Sequence, residues 1–127
     1  MDNFHRIDTT ANRLRKAMEE AGKRPVDVSN GTGIDKGSLS HYMKGNYEPK
    51  QDAVYKLAKF LGVSEMWLWG YDCKRERTDE QLKNDALSDI IVRLRTDSDF
   101  WLVVKALDEL EAEQFATIKQ LLTTFKK

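Results

Sequence analysis

The sequence predicts an all-α protein: a five-helix bundle, then a linker and a small C-terminal helical region. Three observations predict it. Apolar residues recur at three- and four-residue spacing through most of the 127-residue chain. Gly22, Gly33, Gly45 and Gly62 fall where those periodic stretches stop. The composition, 40% hydrophobic and 33% charged with only two prolines and seven glycines, suits a folded helical protein better than a β-rich or disordered one.

The first helix is "TTANRLRKAMEEAG". Thr9 or Thr10 can cap it, Leu14, Ala17, Met18 and Ala21 share one face, and Gly22 stops it. "RPVDVSNGTG" reads as a short second helix with Pro25 in its first turn, where a missing N–H does no harm, and with Val28 and Ser29 facing inward. Gly33 supplies the left-handed residue of a sharp interhelical turn. Asp35 caps a third helix that runs to about Lys44 and stops at Gly45. After the turn "NYEP", residues 52–61 form a fourth helix with Val54, Leu57, Ala58 and Leu61 on one face, ended by Gly62. Ser64 caps a short fifth helix, "EMWLWG", whose Trp67 and Trp69 close the core.

These five helices make residues 1–71 one domain. "DCKRER", residues 72–77, is charged and aperiodic and reads as a linker. Residues 78–127 form the C-terminal region. Thr78 and Gln81 make a capping box, followed by a long helix with Leu87, Ile90, Ile91 and Leu94 in a stripe. "TDSD" breaks it and caps a helix carrying Phe100, Val103, Val104, Leu107 and Leu110, and the last helix carries Phe115, Ile118, Leu121, Leu122 and Phe125. Three such helices can form a small hairpin core, though a segment of this size is marginal alone. Their stripes either pack back on the first domain or meet a second copy, and Phe115, Ile118, Leu122 and Phe125 are the expected dimerisation face.

Several functions are excluded or weakened. No apolar run approaches the ~18 residues of a membrane span, and "MDNFHRIDTT" lacks the apolar core of a signal peptide, so a cytoplasmic location is expected. Cys73 is the lone cysteine, which leaves no internal disulfide and too few partners for a metal cluster. The histidines are His5, in a terminus expected to fray, and His41. No spacing pairs a nucleophile with an activating base, so neither an enzyme nor a cofactor is expected. Net charge is zero, so any nucleic-acid binding must use a local patch rather than a global field.

The third helix gives the strongest functional signal. In "GIDKGSLSHYMKGNYEPK" its outward positions carry Lys36, Ser38, His41 and Lys44, with the small residues Gly37 and Ser40 between them. Any solvated helix face is polar. Here, however, cap, turn glycine and inward Ile34, Leu39 and Tyr42 precede "KG", "EP" and another amphipathic helix. Two short helices joined by a tight turn, the second polar outside and apolar inside, make a helix-turn-helix. Small hydrogen-bonding side chains suit a helix lying in the DNA major groove.

At this point the chain resembles a known family. Residues 10–70 are similar to the Xre/Cro/C1-type helix-turn-helix domain, the fold of phage lambda-like repressors. "TGIDKGSLSHYMKGNYEPKQDAVYKLAKFLGVSEMWLWGYD" is especially similar to repressors of temperate phages and mobile elements in Gram-positive bacteria. The resemblance implies base reading by Lys36, Gly37, Ser38, Ser40 and His41, with Lys36 suited to guanine O6/N7 and Ser38 to either base type. It implies phosphate contacts by Lys44, Asn46 and Tyr47 and, from the first helix, Arg13. The family often begins its second helix with a phosphate-anchoring Gln. Pro25 stands there in this chain, and Lys23 or Arg24 is the substitute. Gly37 removes one side chain from the reading face, so DNA shape is expected to supplement direct readout. Residues 78–127 are too few for the self-cleaving Ser–Lys peptidase domain that lambda-type repressors often carry.

The expected function is a sequence-specific transcriptional regulator, a repressor that binds a palindromic operator in double-stranded DNA as a homodimer and is relieved by an antirepressor protein. Two other functions remain open: the antitoxin of a toxin–antitoxin pair, and a protein-interaction adaptor that does not bind DNA.

Overall fold

The computed structural model describes residues 5–126; residues 1–4 and 127, which the expected domain limits include, lie outside them. Eight helices occur among the described residues: α1 Thr10–Ala21, α2 Pro25–Thr32, α3 Lys36–Lys44, α4 Gln51–Leu61, α5 Glu65–Leu68, α6 Asp79–Thr96, α7 Ser98–Asp108 and α8 Ala112–Thr123. The chain divides into two compact units, residues 1–83 and 84–127.

The first unit packs α1 to α5 around one core. Leu14, Ala17 and Met18 from α1 meet Val28, Leu39, Val54, Leu57, Ala58 and Leu61, with Val63, Trp67 and Leu68 closing the end. Trp69 packs beside this core, half-buried, and Ala21 is exposed, so the inward stripe of α1 stops one turn earlier than its spacing predicts. Thr9 is the side-chain cap of α1, its oxygen accepting from the Asn12 N–H. Ser64 sits at the N-cap of α5 without a side-chain cap bond.

Two regions depart from expectation. Residues 5–8, expected to fray, pair instead with the end of the bundle: Ile7 and Asp8 donate their N–H groups to the Gly70 carbonyl, and Asp72 donates to that of His5. Gly70 is required there, because a Cβ would stand 2.2 Å from the Asp8 carbonyl oxygen. Residues 72–77, expected as a linker, lie against the bundle. Ser64 donates to the Arg75 carbonyl at 2.7 Å, and the buried Arg77 guanidinium donates to the Val63 carbonyl at 2.9 Å. Arg75 pairs with Glu20 and lies over the Trp67 ring. Six charged or polar residues without periodicity can be held this way because guanidinium groups reach backbone carbonyls and aromatic faces that apolar patterning does not reveal.

The reciprocal bonds of the Thr78–Gln81 capping box are both present at the start of α6. The expected hairpin core of the C-terminal region is not. Helices α6, α7 and α8 contribute no buried residue, and packing between them is sparse.

Candidate nucleic-acid interface

Helix α3 is held to the bundle by Leu39, fully buried, with Ile34, Tyr42 and Met43 packed at the core's edge. Its N-terminus is fixed by Asp35, whose carboxylate accepts from the Ser38 N–H at 2.7 Å and from the Ser38 hydroxyl at 3.0 Å. Those bonds, the backbone one first, hold the Asp35 carboxyl below the usual carboxylate range. Gly33, at φ 78°, makes the turn from α2, and the Ser29 hydroxyl donates across it to the Ile34 carbonyl at 2.6 Å.

With its inner face committed, α3 leaves Lys36, Gly37 and His41 exposed, with Ser38 and Ser40 half-buried beside them. An alanine Cβ at Gly37 would meet only the Asp35 carboxylate, at 3.3 Å. That is tighter than an ordinary contact, and the oxygen met is the one that caps the helix, so the carboxylate would have to give slightly.

The far end of α3 is a Schellman motif. Gly45, at φ 77°, donates to the Tyr42 carbonyl, and Asn46 donates to that of His41 at 3.1 Å. This turn folds the Asn46 side chain back on the helix, its Nδ2 2.8 Å from His41 Nδ1. Tyr47 stacks on the His41 ring with centroids 5.1 Å apart, and Tyr42 meets Tyr47 edge-on at 5.7 Å. Lys44, Asn46 and Tyr47 thus gather beside the α3 face, all exposed.

Beside α3 lies a groove of about 400 Å³ lined by Arg15, Pro25, Lys36, Ser40, Met43 and Lys44. Three of the six carry positive charge, a concentration that zero net charge conceals. Arg15 donates to the Met43 carbonyl and to Asn12 Oδ1. Sequence reasoning missed Arg15, although it lies off the Leu14–Ala17–Met18 stripe, which was the available signal.

The phosphate candidates divide. Arg13 is not on the surface: its Nη1 donates to the Trp67 carbonyl at 2.7 Å, its Nε pairs with Asp8 at 3.1 Å, and its guanidinium lies over the Trp67 ring. The role expected for it is corrected to that of a clamp joining α1 to α5. Arg24, exposed at the start of α2, pairs with Asp27, which also accepts the Arg24 N–H. Lys23 is exposed, with its ammonium 5.6 Å from the Phe60 ring centroid. In the C-terminal unit Phe115 and Leu122 are about half exposed, Phe125 is 70% exposed and lies just past α8, and Ile118 is partly covered.

No group of three or more His, Cys, Asp or Glu among the described residues could hold a metal ion, and none of their helices is long and apolar enough to cross a membrane.

Residues 14–68 match the family described as Helix-turn-helix, one of DNA-binding transcription regulators and not of enzymes. Over 53 residues, 42% of this chain, the sequence is 38% identical to the cryptic phage CTXphi transcriptional repressor RstR of Vibrio cholerae. The chain spans about half (48%) of that relative's length. A solved transcriptional regulator from Listeria innocua is 22% identical, with 91% of both chains covered and a TM-score of 0.46.

Proposed function

We propose that this chain, whose residues 14–68 are a helix-turn-helix domain, is a transcriptional repressor that binds a palindromic operator as a dimer, with α3 in the major groove. The observation that carries this reading is the α3 face: small, polar and basic outside, while Leu39 anchors the inside. Lys36 donates to guanine O6/N7. The Ser38 hydroxyl proton is already given to Asp35, so its oxygen serves as an acceptor, for adenine N6 or cytosine N4. Gly37 and Ser40 let the helix backbone come close, and His41 reaches a base edge.

Phosphates are met by Lys44, Asn46 and Tyr47 on one side and by Lys23 and Arg24 at the start of α2 on the other. Arg15 takes the place first assigned to Arg13. Dimerisation falls to α6–α8, many of whose apolar side chains are exposed in a single chain. The similarity of the helix-turn-helix half to a phage repressor supports the sign of regulation.

Footprinting and mobility-shift titration at fixed salt test the reading. Lys36→Ala and Ser38→Ala are each expected to cost about 1–3 kcal/mol on the protected sequence and much less on random duplex. Equal losses on both would demote the two residues to phosphate contacts. A chain that protects no DNA would return the adaptor function.

A further inference from the structure

The Schellman turn that ends α3 places a side-chain amide on the inner nitrogen of the ring at position 41, and this has a chemical consequence. A neutral imidazole carries one N–H, on one nitrogen or the other, and the partner of the first nitrogen decides which. Asn46 Nδ2 is a donor and lies 2.8 Å from His41 Nδ1. With the amide in that orientation, a neutral ring accepts at Nδ1 and carries its proton on Nε2. Two further contacts hold that arrangement: the Asn46 backbone N–H is tied to the His41 carbonyl, and Tyr47 covers one face of the ring, braced in turn by Tyr42.

We propose that Asn46 is a positioning residue that fixes His41 as its Nε2–H tautomer, so that His41 meets DNA as a hydrogen-bond donor. This rests on the reading of α3 as a major-groove helix, and it adds a base preference. A donor at Nε2 selects acceptors: N7 or O6 of guanine, N7 of adenine or O4 of thymine. It rejects the exocyclic amine of cytosine, which a ring protonated on Nδ1 would accept. The second N–H of the Asn46 amide remains free for phosphate, so positioning and backbone contact are compatible in one side chain.

Two measurements on the full chain test it. The first is nitrogen-15 NMR of the imidazoles in the DNA-free protein at a pH where His41 is neutral. It should show His41 protonated on Nε2 in the wild type and shifted toward Nδ1–H in Asn46→Asp, whose carboxylate can only accept. Protonation on Nδ1 in the wild type overturns the proposal. The second is a double-mutant cycle between Asn46→Ala and His41→Ala, on the duplex that the wild type enriches from a randomised library of roughly three helical turns.

Asn46→Ala is expected to weaken binding about three- to tenfold when His41 is present and distinctly less when it is alanine. The base preference opposite His41 should relax in the same variant. Equal losses in both backgrounds would make Asn46 a plain phosphate contact and overturn the positioning role, while α3 remains the reading helix. A wild type that enriches no duplex sinks the major-groove reading itself.

Discussion

Arg13 and Arg15 stand two positions apart on one helix and have opposite fates. Arg13 is buried among the Trp67 ring, the carbonyls of Trp67 and Tyr71, and Asp8; Arg15 is exposed and lines the basic groove. Removing the buried guanidinium takes the side-chain donor from the Tyr71 carbonyl, leaves the Trp67 carbonyl with the Gly70 N–H alone and strips Asp8 of its ion pair, though Thr9 and Asn12 still donate to it. Arg13→Met is therefore expected to destabilise the chain by about 2–4 kcal/mol in urea denaturation, yet to leave the salt dependence of DNA binding unchanged. A slope shallower by about one phosphate would instead restore Arg13 as a DNA contact. The distinction was illegible in the sequence because the carbonyls that capture Arg13 lie 54 and 58 residues away. Glu48 offers a second test at this scale. Hydrogen bonding from Arg6 holds its carboxyl below the ordinary range, against a smaller opposing effect of burial. A folded-state value below the unfolded one gives stability that is complete above the ordinary carboxylate pKa and lost as pH falls through the folded value. Both side chains are more than a third exposed, which limits the pair to about 0.2–1 kcal/mol. Glu48→Gln should flatten the decline of melting temperature between about pH 5 and pH 3; an unchanged decline would assign that range to other carboxylates.

At the scale of elements, helix limits and caps were readable because their causes are local. Asp35, Thr9, Gly22, Gly33 and Gly45 act within a turn of their own positions, and each stands where its residue type predicted. How close two helices approach is not local. A Cβ on Gly31 of α2 would stand 2.0 Å from the Phe60 ring of α4, so the α2–α4 spacing depends on a missing side chain that no periodicity marks. Gly31→Ala is expected to cost about 1–3 kcal/mol through overpacking, and Phe60→Leu in the same chain should recover part of it; chemical denaturation of the two variants decides. Wholly additive losses would mean the ring moves aside freely. The α3 face makes its own element-scale prediction. With Lys36, Lys44 and Arg15 clustered, log K should fall with log salt by about 0.9 per phosphate met, despite zero net charge, and Lys44→Ala should shallow the slope by about one phosphate. Binding that stays flat from low to moderate salt would rule out the local patch.

For the whole molecule, the open matter is what covers the C-terminal helices. Periodicity disclosed their stripes, but it cannot say which surface covers a stripe, and within the chain nothing in α6–α8 is buried. Helices with this much uncovered apolar surface are expected to gain their stability from association. A monomeric helix-turn-helix meets one half-site, whereas pairing two sites ~34 Å apart raises affinity through effective concentration. In the proposed dimer, a protein that engaged α6–α8 would uncouple the two helix-turn-helix domains. The structure also moves the cut that isolates the reading head. Ending the chain at Tyr71 would remove Arg75 and Arg77, which clamp Trp67 and Val63, so the informative truncation ends at Lys83, where the first unit ends. Residues 1–83 are expected to sediment as a folded monomer with weakened operator affinity, and the full chain as a dimer. Phe115→Glu and Leu122→Glu sharpen the comparison. Both side chains are about half exposed in a single chain, so the substitutions should change that chain's own stability by no more than about 0.5 kcal/mol while shifting the full chain to monomer. Sedimentation of all four proteins decides the matter: if the truncation and the glutamate variants keep the oligomeric state and operator affinity of the full chain, α6–α8 are not what pairs the two heads.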